Sequence, residues 1–433
     1  MGKSGMTAEH FYHAHQIDLA RCRGHRKCMR CCPTQAIRVR EDRARIYEDL
    51  CIDCGDCMAA CPEGAIVPIP DPIAEISDRK YKVVVPTSVL YAQFEPGIHP
   101  YIIHLAFKEL GFDEVADNSV SCTAVAKAYV KFMERGPRRK PLIATDCPAT
   151  VRLIQVKYPE LVDLISPLDV PREVTAREVR QHLPEKLGLK PDDIGIMYVS
   201  PCPAKIVSIR QPAEKAQSWF DGAICVRDVY SMLLPHVVAI KAKFDPSQVP
   251  EDFRFSVGWG VLGGLTRAVN MEKWLAVSGL DHVMKILDDI ENSRLRDVEF
   301  VEAFACMLGC IGGPFNIENP YVARFNSSKQ REWYESRIDI DDSVIERRIR
   351  DGYYLLESPV LPRPTLFFDT DLETSIKRLK ESERVYHRLP QTDCGCCGAP
   401  TCKAFAEDLV RGDAELGDCI YLAGLDRASR KSR

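Results

Sequence analysis

Apolar residues in the middle of this 433-residue chain form short β-branched runs and longer stretches with helical spacing. Residues 82–85 contain three consecutive valines, a pattern typical of a β-strand. Over 100–111, apolar residues recur three and four positions apart until Gly111, which predicts a helix with a C-terminal glycine stop. We therefore expect a strand followed by a helix at the start of this region.

The same order continues further along the chain. Apolar runs predict strands at 141–145, 194–199 and 298–304; the first precedes a helical stretch at 149–158, and the other two precede loops. This alternation predicts α/β layers with a mainly parallel sheet, in which ligands collect at the carboxyl ends of the strands.

Two proline-rich segments divide the chain. VPIPDPIAEI at 67–76 and ESPVLPRPT at 357–365 interrupt the periodic pattern, as linkers do. We therefore predict three domains, covering 1–75, 76–360 and 361–433.

Charge and hydrophobicity narrow the class of protein. The hydrophobic fraction of 45% permits a sizeable core, and 58 basic against 62 acidic residues give a net charge of -4. This balance indicates neither a nucleic-acid surface nor a strongly acidic docking partner. The basic end, with Arg427, Arg430, Lys431 and Arg433, is expected to be a solvated tail. Because no apolar stretch predicts a signal peptide or a membrane span, we expect a cytoplasmic protein.

The 19 cysteines occur in clusters, which favours metal binding in a reducing compartment over a disulfide scaffold. Cys51, Cys54, Cys57 and Cys61 follow the spacing C-x2-C-x2-C-x3-C, and Pro62 comes next. This spacing is typical of 4Fe-4S binding, and in such runs the fourth cysteine often ligates a second cluster. A partner motif is therefore expected upstream.

The upstream segment has the same spacing, with Cys22, His25, Cys28 and Cys32 followed by Pro33. The two motifs together predict a bacterial-type two-cluster ferredoxin module. Zinc remains an alternative for sets of four spaced ligands.

His25 occupies the second ligand position of the upstream motif, where imidazole is an acceptable iron ligand. Cys31 lies beside Cys32 and competes with His25 for the same cluster. We favour His25 because it fits the spacing.

Four further cysteines follow three of the predicted strands. Cys147 comes after 141–145, Cys202 after 194–199, and Cys306 and Cys310 after 298–304. Singly, each can be an inert buried cysteine, but together they provide the ligands for a third 4Fe-4S cluster.

The C-terminal region contains a fourth set, Cys394, Cys397, Cys402 and Cys419. Glycines in the surrounding DCGCCGAPTC segment permit the tight backbone that wraps a cluster, and FAEDLV predicts a helix. A zinc knuckle is the alternative. Four clusters with His25 as a ligand leave Cys31, Cys122, Cys225 and Cys396 unassigned.

Three segments in the middle of the chain carry a family resemblance. They are Thr145-Asp146-Cys147-Pro148, Ser200-Pro201-Cys202-Pro203-Ala204-Lys205 and Phe304-Ala305-Cys306-Met307-Leu308-Gly309-Cys310. The region resembles the catalytic domain of FeFe-hydrogenases, in which these segments typically read TSCCP, MPCxxK and MACPGGC.

The resemblance implies roles for individual residues. Cys147, Cys202, Cys306 and Cys310 would hold the cubane of the H-cluster, and Cys310 would also bridge to a diiron unit. Lys205 would donate a charge-assisted hydrogen bond to a diiron cyanide ligand. Backbone or hydroxyl donors would come from Pro86, Thr87 and Ser88.

Departures from the family pattern concern proton supply. Asp146 replaces the cysteine that passes protons, Ser208 stands where a glutamate is usual, and the segment SCTAVAKAYVKF contains no carboxylate. Asp146 either exchanges protons or only accepts hydrogen bonds from a nearby loop. Ser200 replaces a methionine of the family pattern, and Met307-Leu308 replace a proline and a glycine. These replacements change the shape of the pocket.

This pattern is similar to the sensory branch of the family. We expect an anaerobic, slow or sensory hydrogenase-type oxidoreductase with four 4Fe-4S clusters and a diiron unit. Its partner would be a redox protein, such as a ferredoxin or another iron-sulfur or flavin subunit. Because the chain stops soon after Cys419, a separate signalling protein is the other expected partner. The alternative is a non-catalytic electron relay that holds only 4Fe-4S clusters.

Overall fold

A computed structural model describes residues 11–137, 139–363 and 372–422. The basic residues after 422 lie outside this range. Within it, residues 15–52, 56–68, 363 and 372–422 form one compact unit, here called the smaller unit. The other residues form the larger unit, which includes Cys54. The predicted division at 75 and 360 stays a prediction.

The N-terminal part of the smaller unit consists of short elements. They are β1 (His15–Ile17), α1 (Lys27–Arg30), β2 (Ile37–Arg40), β3 (Arg43–Ile46), α2 (Asp56–Ala60) and β4 (Ile66–Pro68). Two antiparallel ladders, β1 with β4 and β2 with β3, enclose a small core that includes several motif cysteines. The two short helices α1 and α2 carry the third ligand position of each motif, Cys28 and Cys57.

The larger unit contains the remaining strands. They are β5 (Tyr81–Pro86), β6 (Glu114–Val115), β7 (Leu142–Ile143), β8 (Ile194–Ser200), β9 (Gly222–Cys225), β10 (Trp274–Ser278) and β11 (Phe300–Phe304). Its helices are α3 (Ser88–Tyr91), α4 (Pro100–Glu109), α5 (Ser119–Glu134), α6 (Pro148–Lys157), α7 (Pro171–Leu187), α8 (Pro203–Arg210), α9 (Val226–Lys241), α10 (Gly264–Val269), α11 (Leu280–Glu291), α12 (Pro320–Tyr334) and α13 (Asp342–Arg350).

Two parallel sheets organise the larger unit. One has the strand order β6-β5-β8-β9, and the other has the order β10-β11-β7. Val84 lies opposite Met197 in the first sheet, and Phe300 lies opposite Leu142 in the second. The parallel pairing confirms the predicted α/β class, although the strands form two sheets.

The boundaries follow the apolar pattern closely at some positions. The predicted strand at 82–85 lies within β5, and the predicted helix at 100–111 is α4, which ends one residue before Leu110. The predicted strand at 141–145 is shortened to the two residues of β7. Helices α5, α7 and α9 were not predicted, although each packs on the sheets.

The C-terminal part of the smaller unit has two helices, α14 (Leu372–Arg388) and α15 (Cys402–Arg411). The predicted FAEDLV helix lies inside α15, which begins at a cysteine and has Thr401 as its N-cap. Short 3₁₀ helices occur at Ile73–Ile76, Pro159–Leu164, Pro191–Asp193, Pro246–Gln248, Cys310–Gly312 and Leu416–Asp418. Among the helices of the described residues, none combines the length and the apolar character that a membrane crossing needs.

Helix α9 offers a matched test of core packing. Leu233 is fully buried in the core formed with β5 and β8, whereas the adjacent Leu234 is 38% exposed. We predict that Leu233→Ala lowers the free energy of unfolding by about 2–5 kcal/mol, and that Leu234→Ala changes it far less. Anaerobic chemical denaturation of each variant measures both values. Equal losses in the two variants would contradict this packing.

Candidate metal centres

Four cysteines of the larger unit meet at the ends of parallel strands. Cys147 follows β7, Cys202 follows β8, and Cys306 and Cys310 follow β11. Their side chains line one cavity with about 320 Å³ of empty space, together with Cys54 and Lys205. The fold therefore brings together the four ligands that the sequence predicted from three separate segments.

Proline places two of these cysteines at helix N-termini. Pro148 and Pro203 occupy the first positions of α6 and α8, so Cys147 and Cys202 are the N-cap residues. The unpaired N–H groups of a first helical turn favour negative charge nearby. Both helix N-termini thus favour thiolates at this site.

The loop between Cys306 and Cys310 has an unusual backbone. Leu308 has φ of 63° and Gly309 has φ of 95°. A Cβ atom on Gly309 would lie 2.7 Å from the carbonyl oxygen of Gly260, so only glycine fits there. The Met307-Leu308 pair is thus accommodated by a left-handed backbone at Leu308, in a conformation that leucine rarely adopts.

Lys205 compensates the burial of the thiols. Its Nζ donates to Cys310 Sγ at 3.3 Å. Burial raises the pKa of the Cys310 thiol and raises that of Cys202 to about 12, while the charge of Lys205 opposes both shifts. Iron binding would therefore have to displace thiol protons, and the ammonium group stabilises the thiolates that result.

A second cavity of about 420 Å³ lies beside Cys310. Its lining is rich in polar groups: Thr87, Ser88, Asn118, Cys122, Asp146, Arg172, Tyr198, Lys205 and Trp259. Thr87 and Ser88 line this cavity, and their role as donors stays a prediction. Pro86 is not among the lining residues, and its carbonyl oxygen accepts a hydrogen bond from Asn118 Nδ2 at 3.1 Å.

Asp146 lines this second cavity and is anchored by an indole. Trp259 Nε1 donates to Asp146 Oδ1 at 2.6 Å. Burial raises the pKa of Asp146, whereas the hydrogen bond from Trp259 and the charges of Lys205 and Arg172 lower it. The carboxyl group is therefore both a hydrogen-bond acceptor and a titratable group within the cavity.

Sequence reasoning missed several of these lining residues. Arg172 is buried, and its Nη2 donates to Ser208 Oγ at 3.0 Å. Ser208 is the position at which the family pattern has a glutamate. Cys122, one of the unassigned cysteines, faces the same cavity from α5. No local motif marks these residues, because helices α5 and α7 bring them to the cavity only in the folded chain.

The upstream ferredoxin motif also forms a cavity. Cys22, His25, Cys28 and Cys61 line about 300 Å³ of empty space in the smaller unit. The backbone N–H of Ala65 donates to Cys61 Sγ at 3.3 Å, and such bonds to sulfur help to set cluster potentials. Cys61 thus joins the upstream set, as the ferredoxin pattern implies.

His25 and Cys31 lie in different surroundings. His25 borders the cavity, and its Nε2 lies 3.0 Å from Glu63 Oε1. Cys31 Sγ donates to the carbonyl oxygen of Cys28, and burial raises the pKa of the Cys31 thiol to about 12. The choice of His25 over Cys31 as a ligand stays a prediction.

Most of the downstream motif lies in the smaller unit. Cys51 and Cys57 belong to the smaller unit, where burial and the thiols of Cys32 and Cys31 raise the pKa of Cys57. Cys32 Sγ accepts a hydrogen bond from the backbone N–H of Ala36 at 3.2 Å.

The C-terminal cysteines converge as well. Cys394, Cys397, Cys402 and Cys419 line a cavity of about 310 Å³, whereas Cys396 is exposed. Backbone N–H donation from Cys396 lowers the pKa of Cys394. The set that the sequence predicted is thus brought together without Cys396.

Three of the predicted ligand sets line cavities of about 300 to 320 Å³. Four thiol or imidazole donors around such a cavity fit a 4Fe-4S cluster, and zinc stays the alternative.

Comparison with known families agrees with this geometry. Residues 90–275 and 264–314 match the iron-only hydrogenase large subunit, C-terminal domain. The chain belongs to this hydrogenase family. Residues 14–75 match a 4Fe-4S dicluster domain, and residues 389–421 match a domain described as a putative Fe-S cluster.

Curated hydrogenase relatives are distant. The chain is 22% identical to the NADP-reducing hydrogenase subunit HndD of Solidesulfovibrio fructosivorans, over 62% of this chain and 56% of the relative. It is 25% identical to iron hydrogenase 1 of Clostridium pasteurianum, over 46% of this chain and 34% of that protein. The matches thus span about half and one third of these relatives. An FeFe-hydrogenase structure from Chlamydomonas reinhardtii aligns with a TM-score of 0.49 and 16% identity, covering 67% of this chain and 98% of that one.

The hydrogenase family assignment leaves the individual ligands as predictions. We predict that anaerobically reconstituted protein holds about sixteen iron and sixteen sulfide, from four clusters of four. Cys306→Ala should lose about four of these irons. Cys225→Ala, which changes a buried cysteine at the end of β9, should lose none. Iron and sulfide assays measure the content. A colourless protein with stoichiometric zinc would contradict the cluster assignment.

His25 provides a separate test at the upstream site. We predict that His25→Cys keeps the number of clusters and lowers the potential of one, because thiolate donates more charge to iron than imidazole does. Cys31→Ala should change neither. Iron analysis and EPR-monitored redox titration measure both effects. Loss of a cluster in Cys31→Ala alone would assign the ligand to Cys31 instead.

Proposed function

We propose that this iron-sulfur oxidoreductase of the hydrogenase family interconverts hydrogen with protons and electrons, at a slow or sensory rate. The proposal rests on one observation, the polar cavity beside Cys310 that is lined by Lys205, whose Nζ donates to Cys310 Sγ. A structural lysine would place its ammonium in solvent, whereas Lys205 is 8% exposed. The cavity therefore suits an anionic guest attached next to the Cys310 sulfur.

The cavity residues fit a diiron unit with cyanide ligands. When bound, such a unit supplies the site at which hydrogen is formed or split. Lys205 would hold the unit by a charge-assisted hydrogen bond, and Thr87 and Ser88 offer hydroxyl donors on another side. Arg172 adds a second buried cation, and its Nε has no hydrogen-bond partner among the described residues.

Proton supply is the weak point of this site. Asp146 can hold a proton at a carboxylate oxygen facing the cavity, but Trp259 occupies its Oδ1. Behind it, Arg172 binds Ser208, and a guanidinium group does not release protons at neutral pH. Glu214 borders the neighbouring cavity, which also contains Ser208. This arrangement supports a slow exchange of protons.

Cys122 supplies a second candidate relay. Residue Cys122 lines the same cavity, and burial, then the charge of Asp117, then that of Asp146 raise the pKa of its thiol. The thiol that the family places before the first cubane ligand thus has a counterpart on α5. Asp146 and Cys122 are thus two candidate proton relays at this cavity.

Electron exchange requires a partner protein in our proposal. The cysteine-lined cavities would hold clusters that carry single electrons, and a ferredoxin or another iron-sulfur or flavin subunit would be the donor or acceptor. A reducing cytoplasm suits the 19 cysteines, none of which forms a disulfide in the structure. A non-catalytic electron relay is the competing function, favoured by the tight contact of Asp146 with Trp259.

Substitution of Asp146 tests the hydrogenase proposal. General acid-base help is typically worth about 10² to 10⁴ in rate, so Asp146→Cys should restore part of the rate that a thiol relay provides. Asp146→Ala should lower hydrogen turnover below that of the wild-type protein. Hydrogen evolution by protein matured with the hydrogenase assembly enzymes measures both effects.

Cluster content and infrared spectra control this experiment. Both variants leave Cys147 unchanged, so iron content should stay constant. Bands of metal-bound carbon monoxide and cyanide should appear in all forms. If Cys122→Ser lowers the rate and Asp146→Ala does not, the thiol is the relay. Absence of these bands, with no effect of either substitution, would leave the electron-relay function.

A further inference from the structure

The C-terminal cysteine loop packs against the upstream ferredoxin motif inside the smaller unit. The backbone N–H of Val39 donates to the carbonyl oxygen of Gly398 at 2.8 Å. Arg26 Nη1 donates to the carbonyl oxygen of Gly395 at 3.4 Å. A Cβ atom on Gly398 would lie 2.0 Å from the Val39 oxygen, so this backbone contact requires glycine. The two cysteine segments are therefore in direct contact.

One methionine side chain fills the contact. Met29 follows Cys28 and is 1% exposed. Its Cε atom lies so close to Gly395 that a Cβ atom at position 395 would be only 3.0 Å away. Gly395 itself follows Cys394. Met29 and Gly395 are thus in contact, and each is the sequence neighbour of a predicted ligand, Cys28 and Cys394 respectively.

A buried ion pair holds the two segments together. Arg38 Nε and Arg40 Nη2 each donate to Asp408 Oδ2 at 2.6 Å. Arg38 is 3% exposed, and Asp408 on α15 is fully buried. Because an unpaired buried charge is strongly unfavourable, α15 is fixed on the β2 strand in this one position. Tyr47 OH donates to Asp413 Oδ2 at 2.9 Å and adds a second polar contact between the same parts.

We propose that the C-terminal iron-sulfur site exchanges electrons directly with the upstream ferredoxin site, and that Asp408 is the positioning residue for this step. One electron leaves one cluster and reduces the other, with no proton transferred and no bond formed or broken. The inference rests on the proposed set of four clusters but not on hydrogen chemistry. It therefore stands or falls separately from the diiron unit.

EPR spectroscopy of reconstituted protein without the diiron unit tests the proposal. In dithionite-reduced wild-type protein, the spins of the C-terminal and upstream clusters should interact, which broadens and splits the upstream signal. Cys397→Ala should lose about four irons and this interaction together. Cys396→Ala, at the exposed neighbouring cysteine, should lose neither.

Asp408→Asn tests the packing of α15 on β2 separately from cluster binding. This variant should retain the full iron content and still lose the spin interaction, because the neutral amide no longer pairs with two guanidinium groups. Glu415→Gln removes the same charge from an exposed site in the same region and should keep the interaction. Asp408→Glu, which restores a carboxylate, should recover part of it.

Freeze-quench samples taken after partial reduction provide the kinetic readout. The electron should distribute between the two sites within the mixing time in wild-type protein, and more slowly in Asp408→Asn. The proposal is wrong if Cys397→Ala removes about four irons and leaves the upstream signal unchanged. It is equally wrong if Cys397→Ala removes no iron, since the C-terminal site then holds no cluster.

Discussion

Parallel pairing of β11 with β7, and of β8 with β5, is the constraint on which the larger unit depends. Parallel strands end at the same edge of a sheet, so residues that follow them in distant parts of the sequence come together. Cys147 and Cys306 meet for this reason. Since Pro148 and Pro203 start helices directly after the ligands, the same edge also receives two helix N-termini.

Buried charge is distributed around this edge in a consistent way. Lys205 contacts Cys310, Asp146 accepts a hydrogen bond from Trp259, and Arg172 donates to Ser208. Each charged group therefore has a polar partner in a region from which water is largely excluded, as buried charges require. The cations outnumber the carboxylate in the cavity, which favours an anionic guest and hinders the passage of protons.

The smaller unit depends on a different interaction. Asp408 pairs with Arg38 and Arg40 and joins the C-terminal helix to a strand far earlier in the chain. Glycines at 395 and 398 allow the backbones to approach closely. Two cysteine sets that are separated by more than 300 positions in the sequence thereby form one compact unit.

Local sequence alone determined much of the chemistry. The spacing of Cys51, Cys54 and Cys57 and the strand pattern around 82–85 are local features, because ligand geometry and β-propensity act over a few residues. Lys205 was identified by a short motif for the same reason. The cysteines of the two ferredoxin motifs also followed from such signals.

Tertiary structure decided what no short segment encodes. Arg172 and Cys122 come from helices whose side chains reach the cavity only when α5 and α7 pack on the sheets. The partner of Asp146, the indole of Trp259, lies 113 positions away in the chain. The union of the C-terminal region with the ferredoxin motif likewise arises from a buried ion pair. Such contacts depend on the energetics of burial across distant segments, so they can be seen only in the folded chain.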